Sequence, residues 1–135
     1  MAIKVLTIDD DSSMTELLGG LLHNHGMDVF SCNSGADGIN LARKHNPDII
    51  IVDLLLPGTN GWEVCKALRT FTNAPIAILS ALDDPTTISS ALDAGADDYM
   101  TKPISTRVLI AHIKNLARRY TVENNTTTML REMRD

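Results

Sequence analysis

Short runs of apolar residues alternate along the chain with segments in which apolar residues recur every three or four positions. The runs fit β-strands, and residues 49–52 are all apolar, which is typical of a strand covered on both faces of a parallel sheet. The predicted strands are residues 3–8, 27–31, 48–53, 75–79 and 97–101. The predicted helices begin at Ser12 or Ser13, at Ser34, at Trp62, at Asp84 or Pro85, and at Ser105, and they end near Gly26, His45, Arg69, Gly95 and Tyr120.

Five β/α units in succession predict the fold class. Units joined by right-handed crossovers build an α/β, doubly wound, five-stranded parallel sheet with helices on both faces. Residues 1–120 are expected to form this domain. Residues 121–135 depart from the pattern with a polar, β-branched stretch, and we interpret them as a linker or C-terminal tail. One further helical turn around Met129, Leu130 and Met133 is the alternative.

The start of the first helix has two alternative caps. Ser13 and Glu16 have the spacing of a capping box, in which each side chain bonds to the backbone of the other residue. Asp11 lies just ahead and could cap the helix itself, because acidic side chains favour helix N-termini. Gly26 is expected to end this helix.

Composition narrows the class of protein. With 135 residues, of which 44% are hydrophobic and 21% charged, the chain suits one ordinary globular domain. The net charge of -5 disfavours nucleic-acid binding by this segment alone, since phosphate contacts need a concentrated basic surface. Cys32 and Cys65 match no disulfide framework and no metal-ligand spacing, so we expect free thiols in a reducing cytoplasm. No signal peptide and no membrane-spanning stretch is predicted, and no membrane partner is expected.

Polar side chains follow four of the predicted strands, at the point where each strand ends. Asp9 and Asp10 follow the first strand, Asp53 the third, Ser80 the fourth and Lys102 the fifth. Because the carboxyl ends of parallel strands share one edge of the sheet, these side chains are expected to meet in one crevice. Three carboxylates and a lysine in one pocket indicate a site for a divalent cation and a phosphoryl group.

Each of these residues suits one part of that chemistry. Adjacent carboxylates such as Asp9 and Asp10 repel each other unless a cation lies near, and Mg²⁺ prefers hard oxygen ligands; helix capping is their alternative role. Asp53, after its buried run, can act as a nucleophile toward phosphorus, with a turn cap as the alternative. Ser80 can hydrogen-bond a phosphoryl oxygen or serve as a turn residue. Lys102 can neutralise phosphoryl charge, and Pro103 favours a constrained peptide there, a cis bond being one form.

Three stretches together resemble the receiver domain of two-component response regulators, over residues 2 to about 120. They are residues 5–11, 47–58 and 95–103, which read VLTIDDD, PDIIIVDLLLPG and GADDYMTKP. The resemblance implies a flavodoxin-like, CheY-like sheet with strand order 2-1-3-4-5. It also implies a sensor histidine kinase as the phosphoryl donor, and a protein that is not a conventional enzyme but catalyses its own phosphorylation and autodephosphorylation.

The resemblance also assigns roles to individual residues. It makes Asp53 the phosphoacceptor and Asp9 and Asp10 the acidic pair, with Asp10 as a direct Mg²⁺ ligand. Asp53 and the backbone carbonyl of Leu55 complete the protein's share of the coordination. Ser80 and Lys102 are assigned to hold the phosphoryl oxygens. Ser80 also forms the conformational switch, together with Tyr99, which turns inward.

Two apolar residues bear on how long the phosphoryl group persists. Leu55 and Leu82 lie two positions beyond Asp53 and Ser80, places that in the resembling family influence the access of water to the aspartyl phosphate. Neither side chain can orient a water molecule, so we expect slow self-dephosphorylation.

The last helix and residues 95–99 look like those of the winged-helix (OmpR/PhoB-type) subfamily. This resemblance bears on the output of the domain. Such receivers form homodimers through the fourth helix, fifth strand and last helix, and act on DNA through a C-terminal domain, which residues 1–135 do not include. Cross-subunit ion pairs could come from Asp97, Asp98, Arg118 and Arg119, although the predicted fourth helix carries only Asp93 as a charge.

Other classes of protein remain as alternatives. A single-domain regulator and a phosphorylation-independent protein-docking module use the same fold with a different output. A haloacid-dehalogenase-type phosphatase needs a second aspartate where this chain has Leu55. A dinucleotide-binding oxidoreductase needs a Gly-x-Gly-x-x-Gly motif after the first strand, which is missing.

Overall fold

A computed structural model describes residues 2–134 and confirms the predicted α/β architecture. Five parallel strands form one sheet in the order β2-β1-β3-β4-β5. The strands are β1 (Lys4–Ile8), β2 (Asp28–Cys32), β3 (Ile49–Val52), β4 (Ile76–Ser80) and β5 (Asp98–Thr101). The helices are α1 (Ser12–Asn24), α2 (Gly35–His45), α3 (Gly61–Arg69), α4 (Pro85–Asp93) and α5 (Thr106–Arg134).

The central strands are buried on both faces. Every residue of β3 and β4 is buried, and β1 is buried after its first residue. Alternate residues of β3 belong to two separate hydrophobic clusters: Ile50 and Val52 pack with α2, α3 and α4, whereas Ile49 and Ile51 pack with α1 and α5. Burying one such side chain contributes about 1.5–3 kcal/mol to folding stability. The two layers therefore hold the carboxyl end of β3 in place.

The helix starts follow local side-chain chemistry. The proposed Ser13–Glu16 capping box is wrong, because the Asp11 carboxylate accepts hydrogen bonds from the backbone N–H groups of Ser13 and Met14 and thereby caps α1. Gly26 follows the end of α1 with a φ of 79°, a left-handed conformation that glycine adopts without strain. Side chains of three further residues cap α2, α3 and α4 in the same way as Asp11: Ser34, Asn60 and Asp84.

The last helix is longer than predicted. It was expected to end at Tyr120, but α5 continues to Arg134. The sequence after Pro103 contains neither glycine nor proline, so nothing in the backbone stops the helix. Residues 121–133 are helical and all exposed. The interpretation of residues 121–135 as a linker or C-terminal tail stays a prediction.

Two further observations concern the chain as a whole. Cys32 and Cys65 are buried free thiols, and burial raises the pKa of each to about 11. Among residues 2–134, none of the helices combines the length and apolar character needed to cross a membrane.

Candidate functional site

The strand ends bring four of the predicted residues into one cluster. Asp9 follows β1, Asp53 follows β3, and Lys102 follows β5. The Lys102 Nζ lies 3.2 Å from Asp9 Oδ2 and 3.5 Å from Asp53 Oδ2, although these residues are far apart in sequence. Carboxylate oxygens of Asp9, Asp10 and Asp53 all lie within 4.8 Å of one another. The Lys102 ammonium therefore contacts two carboxylates, and the carboxylate of Asp10 lies close to both of them.

Asp9 is held from several sides. Its Oδ1 accepts a hydrogen bond from the Asp11 N–H at 3.0 Å. The Asn33 amide, in the loop after β2, donates to the Asp9 carbonyl at 2.8 Å and to Thr15 Oγ1 at 3.1 Å. Sequence reasoning did not identify Asn33 as a supporting residue, because nothing local in the chain links that loop to Asp9. These contacts leave Asp9 Oδ2 aimed at Lys102.

Asp53 is fixed by its own loop and by α3. Its Oδ1 accepts a hydrogen bond from the Leu55 N–H at 3.2 Å, and its N–H donates to the Ile8 carbonyl at 2.9 Å. Gly61, the first residue of α3, lies against this turn, where a Cβ atom would come within 2.6 Å of the Asp53 carbonyl oxygen. The buried Leu54 anchors the turn from the core side. Gly61 is thus a positioning residue, although the sequence showed it only as part of a turn cluster.

The electrostatics of the cluster are unbalanced. Burial raises the pKa of Asp53, and the neighbouring Asp9 raises it further, against the opposing effects of the Leu55 N–H and Lys102. Burial alone would lower the pKa of Lys102, but Asp53 and Asp9 outweigh it and raise that pKa. The pocket therefore favours additional positive charge beyond that of Lys102.

The donor set suits a hard divalent cation. All three clustered side chains offer carboxylate oxygen, Asp10 is exposed, and Asp9 and Asp53 are largely shielded from solvent. Mg²⁺ takes few protein carboxylates and keeps several water ligands, which such a half-open arrangement permits. The structure places the Leu55 N–H on Asp53, while its side chain is 56% exposed. The assigned role of the Leu55 carbonyl stays a prediction.

Ser80 and Tyr99 are connected through a single residue. The fully buried Ser80 accepts a hydrogen bond at Oγ from the Leu82 N–H, at 3.2 Å. The Tyr99 hydroxyl donates to the carbonyl of the same Leu82, and its half-buried ring packs against the cluster that contains Ile78. Main-chain atoms of Leu82 therefore join the predicted hydroxyl ligand to the predicted aromatic switch. The Lys102–Pro103 peptide, next to this region, is cis.

An apolar groove borders the cluster. It has a volume of about 520 Å³ and lies between α1 and the start of α5. Lys102 lines its inner end, and Leu17, which is 68% exposed, lines its outer side. The apolar periodicity of α1 contained the signal for this groove, since more apolar residues lie on the helix than the core can cover. The remaining apolar lining comes from Met14, Leu18, Leu21, Leu79, Ala81, Pro103, Ile104 and Leu109.

The acidic residues considered for cross-subunit pairs already have partners within the chain. Asp97 pairs with Arg69 and also accepts a hydrogen bond from the Ile76 N–H, whereas Asp98 contacts His112 Nδ1 at 2.6 Å. Arg69 further donates to backbone carbonyls at Thr72, Ala74 and Gly95, which ties α3 to the starts of β4 and β5. Sequence reasoning missed Arg69 because an arginine at a helix end is usually solvated.

Known proteins resemble this chain in both sequence and structure. The response regulator receiver domain family matches residues 5–114. A two-component response regulator from Clostridium difficile is 30% identical with a TM-score of 0.83, over 87% of this chain and 97% of that one. The Francisella response regulator 1452 receiver domain is 34% identical with a TM-score of 0.82, over 87% and 98%. The BeF3-activated N-terminal receiver domain of Klebsiella pneumoniae RstA is 30% identical with a TM-score of 0.82, over 85% and 98%.

Proposed function

Because this chain belongs to the response regulator receiver domain family, we propose that it accepts a phosphoryl group on Asp53 from a sensor histidine kinase. The observation that carries this proposal is the position of the Asp53 carboxylate, 3.5 Å from Lys102 Nζ and within the carboxylate cluster. Asp53 has one oxygen held by the Leu55 N–H and the other directed at Lys102. A nucleophile with a fixed orientation beside a cation is what phosphoryl transfer requires.

The transfer itself involves one bond exchange. An Asp53 carboxylate oxygen forms a bond to phosphorus as the bond between phosphorus and the donor's histidine nitrogen breaks, and the released imidazole takes a proton from solvent. Lys102 neutralises charge on the phosphoryl oxygens, and the Ser80 hydroxyl donates to one of them. Asp9, Asp10 and Asp53, with the Leu55 carbonyl, would hold Mg²⁺, which supplies further charge neutralisation when bound.

The same geometry supports a conformational switch. If Ser80 turns its hydroxyl toward a phosphoryl group on Asp53, its Oγ moves away from the Leu82 N–H that now contacts it at 3.2 Å. Leu82 then carries that displacement to the Tyr99 hydroxyl bound at its carbonyl. The affected surface is formed by α4, β5 and α5. The change in charge at Asp53 shifts the equilibrium between two conformations of this surface.

The apolar groove beside Lys102 is proposed as the kinase contact surface. A phosphohistidine must approach within bonding distance of Asp53, so its carrier has to cover the rim of the site. Lys102 lines both the site and the groove, and Leu17 exposes an apolar side chain there. An apolar patch of this kind commonly marks a protein-binding surface.

For the output, we propose homodimerisation through α4, β5 and α5 and transcription control through a winged-helix (OmpR/PhoB-type) DNA-binding domain outside these residues, in the cytoplasm. The similarity of residues 95–99 and of α5 to that subfamily supports this. Because Asp97 and Asp98 already pair with Arg69 and His112, cross-subunit ion pairs would have to compete with these contacts. Apolar side chains exposed on this surface, including Leu92 and Val108, offer a different kind of contact.

Intact-mass spectrometry after incubation with acetyl phosphate tests the proposed chemistry. We expect a gain of one phosphoryl group that depends on Mg²⁺ and is lost in Asp53→Asn. Asp11→Asn is the matched control, because Asp11 caps α1 outside the carboxylate cluster and asparagine caps equally well. No gain in folded wild-type protein would contradict the proposal and favour a phosphorylation-independent docking module.

A further inference from the structure

The C-terminal half of α5 lies outside the folded body of the domain. Residues 121–133 are helical and exposed throughout. At 1.5 Å per residue, they form a rod about 20 Å long. The preceding turns of the same helix differ, because Leu109, Ile113 and Ala117 are buried against the sheet.

The exposed half of α5 carries an apolar stripe. Val122, Met129 and Met133 are 57%, 61% and 79% exposed, and Thr126 lies between them. The spacing of these four residues is 4, 3 and 4, which is the heptad spacing of a coiled-coil seam. Leu130, 54% exposed, flanks the seam. The stripe is therefore an ordered apolar face without a covering element among residues 2–134.

An isolated helix of this sequence is not expected to be stable. Residues 124–128 read Asn-Asn-Thr-Thr-Thr, all poor helix formers. Helices of this length gain most of their stability from packing of an apolar face. Packing of the stripe against a second helix would therefore stabilise residues 121–133 as helix.

We propose that this partner is the α5 helix of a second copy of the chain, paired in parallel as a two-stranded coiled coil. In this register Arg118 and Glu123 flank the seam five residues apart, as the g and e positions that face each other between parallel helices. Each Arg118 then meets Glu123 of the partner subunit, so the twofold pair contains this attraction twice.

An antiparallel pair lacks this attraction. Reversing one helix makes each e position face an e position and each g position face a g position, so Arg118 no longer faces Glu123 of the partner subunit. The heptad spacing also continues backward from Val122 through Arg119, Asn115 and His112 to the exposed Val108. The line of these positions thus reaches the α4–β5–α5 surface, and its apolar members are Val108, Val122, Met129 and Met133. The pairing does not depend on phosphorylation of Asp53.

Cysteine cross-linking of the full chain tests the pairing. Met129→Cys places identical positions face to face across a parallel seam, whereas Thr127→Cys lies about 160° around the helix. We expect an interchain disulfide under mild oxidation for Met129→Cys and none for Thr127→Cys. The native thiols do not compete, since both are buried with a pKa raised to about 11. Equal cross-linking of both variants, or of neither, would overturn the parallel pairing.

Sedimentation of the full chain with its native α5 provides the second readout. We expect wild-type protein to form dimers and Met129→Glu to dissociate at a concentration at least about tenfold higher, while its phosphorylation by acetyl phosphate is unchanged. A monomeric wild type at high micromolar concentration, with and without acetyl phosphate, would overturn the proposal. Normal phosphorylation in that experiment separates this failure from a failure of the phosphoacceptor assignment.

Discussion

At the scale of single residues, the Asp53 carboxylate is held in an environment that opposes its charge. Its side chain is 12% exposed and lies beside two other carboxylates. Its folded-state pKa is raised above the ordinary value of 3.8. Folding stability is therefore fully present below the pKa that Asp53 has in the unfolded state, where the carboxyl is protonated. Part of that stability is lost as the pH rises through the raised pKa of the folded state. At neutral pH the nucleophile is kept charged at a cost in stability.

Asp53→Asn should therefore unfold less readily than the wild type at pH 7 in the absence of Mg²⁺. We expect a gain in unfolding free energy on the order of 1 kcal/mol, the usual size of a single-site change. The gain should shrink as the pH falls through the raised folded-state pKa, and it should be smallest below 3.8, where the carboxyl is protonated in both the folded and the unfolded state. Urea unfolding of both proteins across this pH range measures the difference. A variant less stable than wild type at pH 7 would show that the Lys102 contact dominates.

We expect the side chains of Leu55 and Leu82 to influence the lifetime of the phosphoryl group. Leu55 is 56% exposed, and neither side chain can hydrogen-bond a water molecule. We expect the phosphoryl group to persist for longer than seconds, and Leu55→Gln to shorten its lifetime about tenfold, the equivalent of one hydrogen bond of about 1.4 kcal/mol. Mass spectrometry after removal of acetyl phosphate follows the decay. A wild-type lifetime of seconds or less would contradict the expectation.

The central residues of the site could be predicted because strand ends are visible in sequence. An apolar run followed by a carboxylate identified Asp9 and Asp53, and the parallel topology placed both beside Lys102. The residues that hold the site in place, Asn33 and Gly61, could not be found in this way. Their roles arise from contacts across the fold with Asp9 and Asp53. Such contacts have no local pattern.

At the scale of elements, the close approach of α3 to the turn after β3 sets the position of Asp53. A Cβ atom at Gly61 would lie 2.6 Å from the Asp53 carbonyl oxygen and 2.7 Å from the Leu54 Cα, both backbone atoms that cannot rotate away. Gly61→Ala should therefore displace the turn, cost about 1–3 kcal/mol in unfolding free energy, and slow phosphorylation by acetyl phosphate.

Gly20→Ala is the matched control for Gly61→Ala. Gly20 lies inside α1, is exposed, and would meet nothing within 4 Å of a new Cβ atom. The higher helix propensity of alanine should stabilise this variant by about 1 kcal/mol, with an unchanged phosphorylation rate. Thermal unfolding and the acetyl phosphate assay compare the two variants. Equal effects would contradict the role assigned to Gly61.

Element ends differed in how well the sequence predicted them. The start of α2 at Ser34 and the end of α1 before Gly26 are encoded by single residues with strong local preferences, and both were predicted. The cap of α1 was ambiguous, because Asp11 and Ser13 can each supply the accepting oxygen. The end of α5 was placed too early because the polar run at residues 124–128 indicated a break that the backbone does not make.

At the scale of the whole molecule, the apolar groove and the carboxylate cluster form one continuous surface. Leu17→Ser should lower the kcat/KM of phosphoryl transfer from a histidine kinase that phosphorylates the wild type. A loss of about 1.5 kcal/mol of apolar contact corresponds to roughly tenfold. Phosphorylation by acetyl phosphate should not change, because a small donor needs no docking surface.

Leu92→Ser serves as the control, since Leu92 is 43% exposed on α4 and does not line the groove. The rates of transfer from the kinase and from acetyl phosphate are measured side by side for both variants. Equal loss in the two variants, or a loss with both donors, would show that the groove is not the contact surface.

The overall architecture could be predicted because each strand is a short apolar run, whereas in each helix apolar residues recur every three or four positions. This alternation leaves few ways to arrange a parallel sheet. The strand order 2-1-3-4-5 came from the resemblance to receivers, and the sheet confirms it. The tie between α3, β4 and β5 made by Arg69 remained hidden, since its carbonyl partners at Thr72, Ala74 and Gly95 come from turns that only the folded chain brings together.

The junction at Leu82 has a consequence for how this protein can evolve. Ser80 and Tyr99 meet through the N–H and carbonyl of Leu82, which every residue except proline can provide in full. The side chain at that position is free to vary, and it is the part expected to affect how long the signal lasts. We therefore expect natural variation at position 82 to change the lifetime of the phosphoryl group while the hydrogen bonds that connect Ser80 to Tyr99 are preserved.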